Sequence, residues 1–230
     1  MQHFHNSDFV RDLANQIIRE RFANSHGVET LDEYLERIDA LQTCHLSANQ
    51  ASRVIGTAGK QRRDAKLTIE NGTSIIVNVP MNDPRRPGAK VWAQIELGIW
   101  LDLLEMGAIN AWRFVGKGNG RTDGQVMTNV PMRSAASTGK TAVVRLIVNA
   151  KPGQQARTLD HNPLNLRRSN IYLNGSPNWT DGGKKTAKTD SVALIREQAA
   201  LRQSCAGKDY GIPASEADQQ QRHHQTNGEA

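Results

Sequence analysis

Cysteine is scarce. Cys44 and Cys205 are the only two in 230 residues, far apart and in no Cys-x-x-Cys pair. That excludes a disulfide framework and zinc-finger spacing, and two reduced thiols suit a cytoplasmic protein. Aromatic residues make up only 5% of the chain, and hydrophobic residues of all kinds 37%. The expected core is therefore modest for this length. Long apolar runs are missing too. The densest, VWAQIELGIWLDLLEMG (91–107), is broken by Gln94, Glu96, Asp102 and Glu105, and a membrane helix needs ~20 apolar residues. The first residues, MQHFHNSDF, hold no apolar segment of the kind a signal peptide uses, so neither export nor a membrane partner is expected. What the chain has in excess is positive charge. It carries 29 Lys and Arg against 23 Asp and Glu, a net charge of +6, with a pI of about 9.5. A polyanion is the partner such a balance suggests, and nucleic acid is the common one. The plainer alternative is a soluble protein that happens to be basic. No feature of the sequence sets an oligomeric state.

The chain length suggests one large domain or two small ones. Residues 7 to 58 read as three helices. Ser7 is placed to cap the first, with Phe9, Leu13 and Ile17 on its apolar face and Val10 and Ile18 beside them. Thr30 and Glu33 make a capping-box pattern for the second, which carries Leu31, Tyr34, Leu35, Ile38 and Leu41. Ser47 and Gln50 repeat the pattern for a third, with Ala51, Val54 and Ile55 on one face. KLTIENGTSIIVNV (66–79) then reads as two strands around Asn71-Gly72, a strong short hairpin signal, closed off by Pro80, Pro84 and Pro87. Residues 89–106 read as a mostly buried helix that Gly107 stops. AWRFVGKGNGRTDGQV (111–126) reads as a strand, a glycine-rich turn and a second β-like run. SVALIREQAALRQSC (191–205) is the last expected helix, and a polar tail follows it.

Three familiar motifs each have a plainer reading. LSANQASRVIGTAGKQRR (46–63) could be the recognition helix of a helix-turn-helix, ending in Arg62-Arg63. A short surface helix in a bundle explains it as well. GKGNG (116–120) would cradle phosphate only between a strand and a helix N-terminus, and a β-like run follows it instead. STGKT (137–141) lacks the glycine five residues before Gly139 that a phosphate-binding loop requires; Ser134 stands there. His223-His224 lies in the tail and reads as a tail feature.

The stretch richest in chemistry is DHNPLNLRRSN (160–170), an Asp-His followed by an Asn-Pro-Leu turn and two adjacent arginines. Together with RLIVNAKPG (145–153), it resembles the homing and phage branch of the HNH endonuclease family, over about residues 139–183. The resemblance implies the ββα-metal fold, double-stranded DNA as partner, and a phage, mobile-element or bacterial setting. In that family an apolar helix runs into a Pro-Gly loop, a strand carries Asp-His, and an Asn-Arg-Arg-Ser-Asn segment opens a helix. The histidine is a general base toward water. One Mg²⁺, held by the neighbouring carboxylate and a residue of the following helix, stabilises charge on the phosphate.

Carried over residue by residue, Asn162, Pro163, Leu164 and Asn165 fall on the turn, and Arg167 and Arg168 fall on its basic positions. Asn170 falls on the inner asparagine that ties the turn together. The Asp-His positions, however, fall on Arg157 and Thr158, three residues before the actual Asp160-His161. The second ligand position falls on Trp179, with Asn178 one residue away. The expectation is an α+β protein: a helical region 1–63, a mixed segment 64–133, an HNH-like module 134–183, a helix 184–206 and a disordered tail 207–230. It binds DNA through Arg167, Arg168, Lys184, Lys185 and Lys188, with Asn170, Asn162 and Pro163 structural. It has no catalytic residue, metal or other cofactor. The alternative is an active Mg²⁺-dependent endonuclease with a shortened turn, using His161 as base and Asp160 and Asn178 as ligands. A scaffold or protein-interaction role is the third reading.

Overall fold

The computed structural model describes residues 7–22, 27, 30–43, 48–108, 110–116, 124–131, 138–151 and 153–174. The expected helix at 191–205, the polar tail, Lys184, Lys185, Lys188, Asn178 and Trp179 lie outside the described residues, as does Ser47. Ser7 opens α1, and nothing is described of its side chain.

The helical region begins with α1 (Ser7–Phe22) and α2 (Leu31–Thr43). The capping box forms as its spacing predicts: Thr30 Oγ1 accepts from the Glu33 amide at 3.2 Å, and the Glu33 carboxylate accepts from the Thr30 amide at 3.0 Å. Leu31, Tyr34, Leu35 and Ile38 are buried along α2. On α1 the buried row is Val10, Ala14, Ile18 and Phe22, while Phe9 is 56% exposed. The helix is thus rotated from the expected Phe9-Leu13-Ile17 face. Two apolar rows lie side by side on α1, and packing against α2 and the first sheet selects between them. Phe22 stacks on Tyr34 with ring centroids 5.0 Å apart.

Residues 48–63 form one continuous helical segment: α3 (Ala48–Val54), a π-helical turn (Ile55–Gly59) and α4 (Lys60–Arg63). Its end carries Arg62 and Arg63, and both guanidinium groups donate to Asp39 of α2. Arg62 and Asp39 are both buried. These arginines fasten helix to helix, as expected for a bundle and not for a recognition helix. Gln61 adds a second tie. Its amide donates to the carbonyls of Pro80 and Trp112, each at 2.8 Å, and accepts from the Trp112 N–H at 2.7 Å.

Two three-stranded antiparallel sheets follow. The first holds β1 (Lys66–Glu70), β2 (Ser74–Asn82) and β3 (Lys90–Glu96), with β2 central. Asn71 and Gly72 both have positive φ and the Thr73 amide closes on the Glu70 carbonyl, so the Asn-Gly hairpin forms. Two expectations are corrected here. Pro80 does not end its strand; β2 runs on to Asn82. The β1 ladder stops at Lys66 opposite Asn78, so Pro80 has no β1 residue opposite it, and Gln61 takes its carbonyl instead. Residues 90–96 are a strand, not the first turns of a helix, and only Leu97–Glu105 forms α5. Ala93 and Ile95 are buried at a spacing of two, and seven consecutive pairs with β2 decide between the two periods. The stop at Gly107 is as expected. Its φ is +96°, and the Ala108 and Gly107 amides bond the carbonyls of Leu103 and Leu104.

The second sheet holds β4 (Trp112–Gly116), β5 (Gly124–Pro131) and β6 (Thr138–Ala142). The Gly-Lys-Thr of residues 139–141 is therefore strand backbone, paired to β5. Then come α6 (Val143–Ile147) and a two-stranded hairpin, β7 (Gln155–Thr158) and β8 (Ile171–Asn174). The protein is α+β. One hydrophobic cluster extends from Val10 through Trp100, Leu101 and Phe114 to Leu146 and Leu166, so the N-terminal helices, both sheets and the hairpin turn share a core. Among the described residues no helix is long and apolar enough to cross a membrane.

Candidate nucleic-acid interface

The site is built from α6, β7, the long turn 159–170 and β8. Arg145 on α6 organises the loop that follows, donating to the carbonyls of Ala150, Lys151 and Gln154. Asn149 and Gly153, with φ of +50° and +90°, let that loop reverse. The chain then enters β7, which pairs Thr158 with Ile171 and Arg157 with Tyr172.

A polar network holds the turn. The Asn170 side chain donates to Asp160 Oδ1 and to the Asn165 carbonyl, each at 2.9 Å, and accepts from the Asp160 amide at 3.1 Å. Asp160 Oδ1 also accepts from the Asn162 amide at 2.8 Å, and Oδ2 from the Asn165 side chain at 2.7 Å. Asn162 Oδ1 accepts from the Leu164 amide across Pro163. Burial alone would raise the Asp160 carboxyl, but the donors on Asn165, Asn170 and the Asn162 amide bring it below the usual carboxylate range. Asn170 thus ties the turn in the way the resemblance implies for an inner asparagine.

The turn is also docked on the first sheet. Gln94 of β3 donates to the Leu164 carbonyl and accepts from the Leu166 amide, both at 2.8 Å, a parallel bridge at Asn165. Leu166 is buried in the core. The Arg168 amide meets both Glu96 carboxylate oxygens at 3.1 Å, and Arg167 pairs with Glu70 at 3.0 Å. The segment expected to open a helix is a single 3₁₀ turn, Arg168–Asn170, that leads into β8. Pairing of Ile171–Asn174 with β7 extends the backbone there.

Arg157 and Thr158 therefore stand on the strand where the resemblance puts the metal ligand and the base. Arg157 is exposed and touches Gln155 at 2.7 Å. Asp160 and His161 sit in the turn, His161 exposed with φ of +57°. Arg168 projects as an exposed cation, whereas Arg167 is half-buried against Glu70. Arg157, which stays charged, stands where the resemblance puts a ligand, and both Asp160 oxygens accept hydrogen bonds within the turn. Among the described residues no three His, Cys, Asp or Glu gather.

Beside β7 lies a half-open cavity of about 450 Å³. Gln125, Arg145, Gln155, Arg157, Thr158 and His161 supply its polar lining. Val126, Val144, Ala156, Pro163 and Leu166 supply an apolar side. No carboxylate lines it among the described residues. Arg145 and Gln125 come to it from α6 and β5, and no spacing in the sequence marks them as neighbours of Arg157. No protein-family model matches the chain, and neither do the curated proteins or the solved structures searched with it.

Proposed function

We propose that this protein binds double-stranded DNA through its phosphates, using an HNH-like hairpin and turn that hold the strand without cutting it. What supports the reading is the sequence of β7: the resemblance puts the ligand and base of such a nuclease on Arg157 and Thr158, and both stand on that strand. A guanidinium there donates to phosphate oxygens with charge assistance, whereas neither it nor a threonine hydroxyl accepts a proton from water near neutral pH. Arg157 and Arg168 are the exposed cations of the hairpin and turn, and the net charge of +6 points the same way. The turn is already held by its own hydrogen bonds, which lowers the ordering cost of binding. Arg167 supports the turn through Glu70, and Lys184, Lys185 and Lys188 extend the basic run in sequence.

The test is filter binding of a short duplex from low to moderate salt. Each neutralised phosphate contributes about −0.9 to the slope of log affinity against log salt. Arg157→Ala and Arg168→Ala should each flatten the slope by about one contact, with no plasmid nicking in Mg²⁺ or Mn²⁺. A flat salt dependence in the wild type would remove the proposal. Nicking by the wild type that disappears in His161→Ala would replace it with the endonuclease reading.

A further inference from the structure

We infer that the cavity beside β7 binds a single nucleotide unit, a planar base bearing one phosphate, and that this site shares Arg157 with the contacts to the duplex backbone. The inference rests on the nucleic-acid reading above. Its first support is size. About 450 Å³ falls within the range of small-molecule sites, roughly 300–1,000 Å³. A phosphate-only site needs far less room and no apolar wall. The second support is charge. Arg145 and Arg157 meet at the cavity from two different segments, with the His161 ring beside them, and no carboxylate among the described residues answers the two guanidinium groups there. Arg145 makes its hydrogen bonds to three backbone carbonyls, which hold the group in place and leave its positive charge unneutralised. Arg157 bonds a neutral amide. Third, the lining has two kinds of surface. Val126, Val144 and Pro163 offer an apolar face for a base, while the carboxamides of Gln125 and Gln155 offer donor and acceptor groups to its edge. An inorganic anion would use the cations alone, and a neutral apolar ligand would leave them unanswered.

Two sources provide such a ligand, a free mononucleotide and an unpaired nucleotide of a DNA strand. The experiment is isothermal titration of the full chain with deoxyadenosine monophosphate, deoxyadenosine and inorganic phosphate in parallel. Duplexes with and without one unpaired nucleotide are then compared. The nucleotide should bind saturably and at least tenfold more tightly than either fragment. Ala156→Phe, which adds a ring at the cavity wall, should weaken it at least tenfold. Arg157→Gln should weaken the nucleotide more than the nucleoside. Tighter binding of the duplex with the unpaired nucleotide, lost in Ala156→Phe, assigns the strand as the source; equal binding of the two duplexes assigns the free nucleotide. Phosphate binding as tightly as the nucleotide, or nucleotide binding indifferent to both substitutions, overturns the inference. So does the absence of saturable nucleotide binding. Salt-dependent duplex binding without nucleotide binding removes this inference alone. Nucleotide binding without duplex binding removes only the duplex reading.

Discussion

Replacing Asn170 by alanine should loosen the turn and lower stability without touching the hydrophobic core. Three hydrogen bonds disappear: two donated by the side-chain amide, to Asp160 Oδ1 and the Asn165 carbonyl, and one accepted from the Asp160 amide. They are not equal. The Asn165 carbonyl is half-buried, so water replaces its partner poorly, while the two Asp160 groups are exposed and rehydrate. An unsatisfied buried polar group costs about 1–3 kcal/mol, and one half-buried group with two exposed ones puts the expected loss near the lower half of that range. At roughly 2–4 °C per kcal/mol for a chain of this size, the melting temperature should fall by about 3–6 °C. The loss should also depend on pH. Asp160 is stabilised as the anion by these donors, so its contribution is present above the unfolded aspartate value of about 3.9 and lost as pH falls through the folded value. The gap between wild type and Asn170→Ala should therefore narrow below pH ~4. Thermal melts by circular dichroism at neutral and acid pH measure both effects. An unchanged melting temperature at neutral pH would refute the role given to Asn170, and a gap that widens in acid would refute the role given to Asp160.

Asp39→Ala should cost about 3–5 kcal/mol in urea unfolding, because it removes the carboxylate that a buried Arg62 faces; Arg63→Ala should cost much less, since Arg63 is exposed. Gln61→Leu should cost about 1–3 kcal/mol by leaving the Pro80 and Trp112 backbone groups without their partner, and a loss below ~0.5 kcal/mol would mean that water substitutes there. Gly124→Ala places a methyl group 2.2 Å from the buried Phe114 ring, so β5 or the ring must shift; about 1–3 kcal/mol of destabilisation is expected on the same unfolding curve.

Interactions closed within a few residues were legible in the sequence. The Thr30–Glu33 box, the Asn71-Gly72 hairpin and the stop at Gly107 each join partners three to five positions apart. The residue types there leave few backbone choices. The α+β class followed from the same signals, whereas the turn-holding place of Asn170, ten residues from Asp160, was what the resemblance implied. Features with distant partners were decided by tertiary structure. Residues 90–96 carry an apolar pattern that suits a helix or a strand, and pairing with β2 settled it. Pro80 reads as a strand end until Gln61, nineteen residues earlier, meets its carbonyl. Phe9 lost its place on α1 to Val10 because the neighbouring elements chose the row that packs. Arg62 reads as the end of a short surface or recognition helix and Arg167 as a DNA contact, yet Asp39 and Glu70, 23 and 97 positions away, hold them in ion pairs. The cavity is of the same kind. Arg145, Arg157, His161 and Gln125 share no spacing that sequence periodicity could detect, and only the packing of α6 and the hairpin against the second sheet brings their side chains to one place.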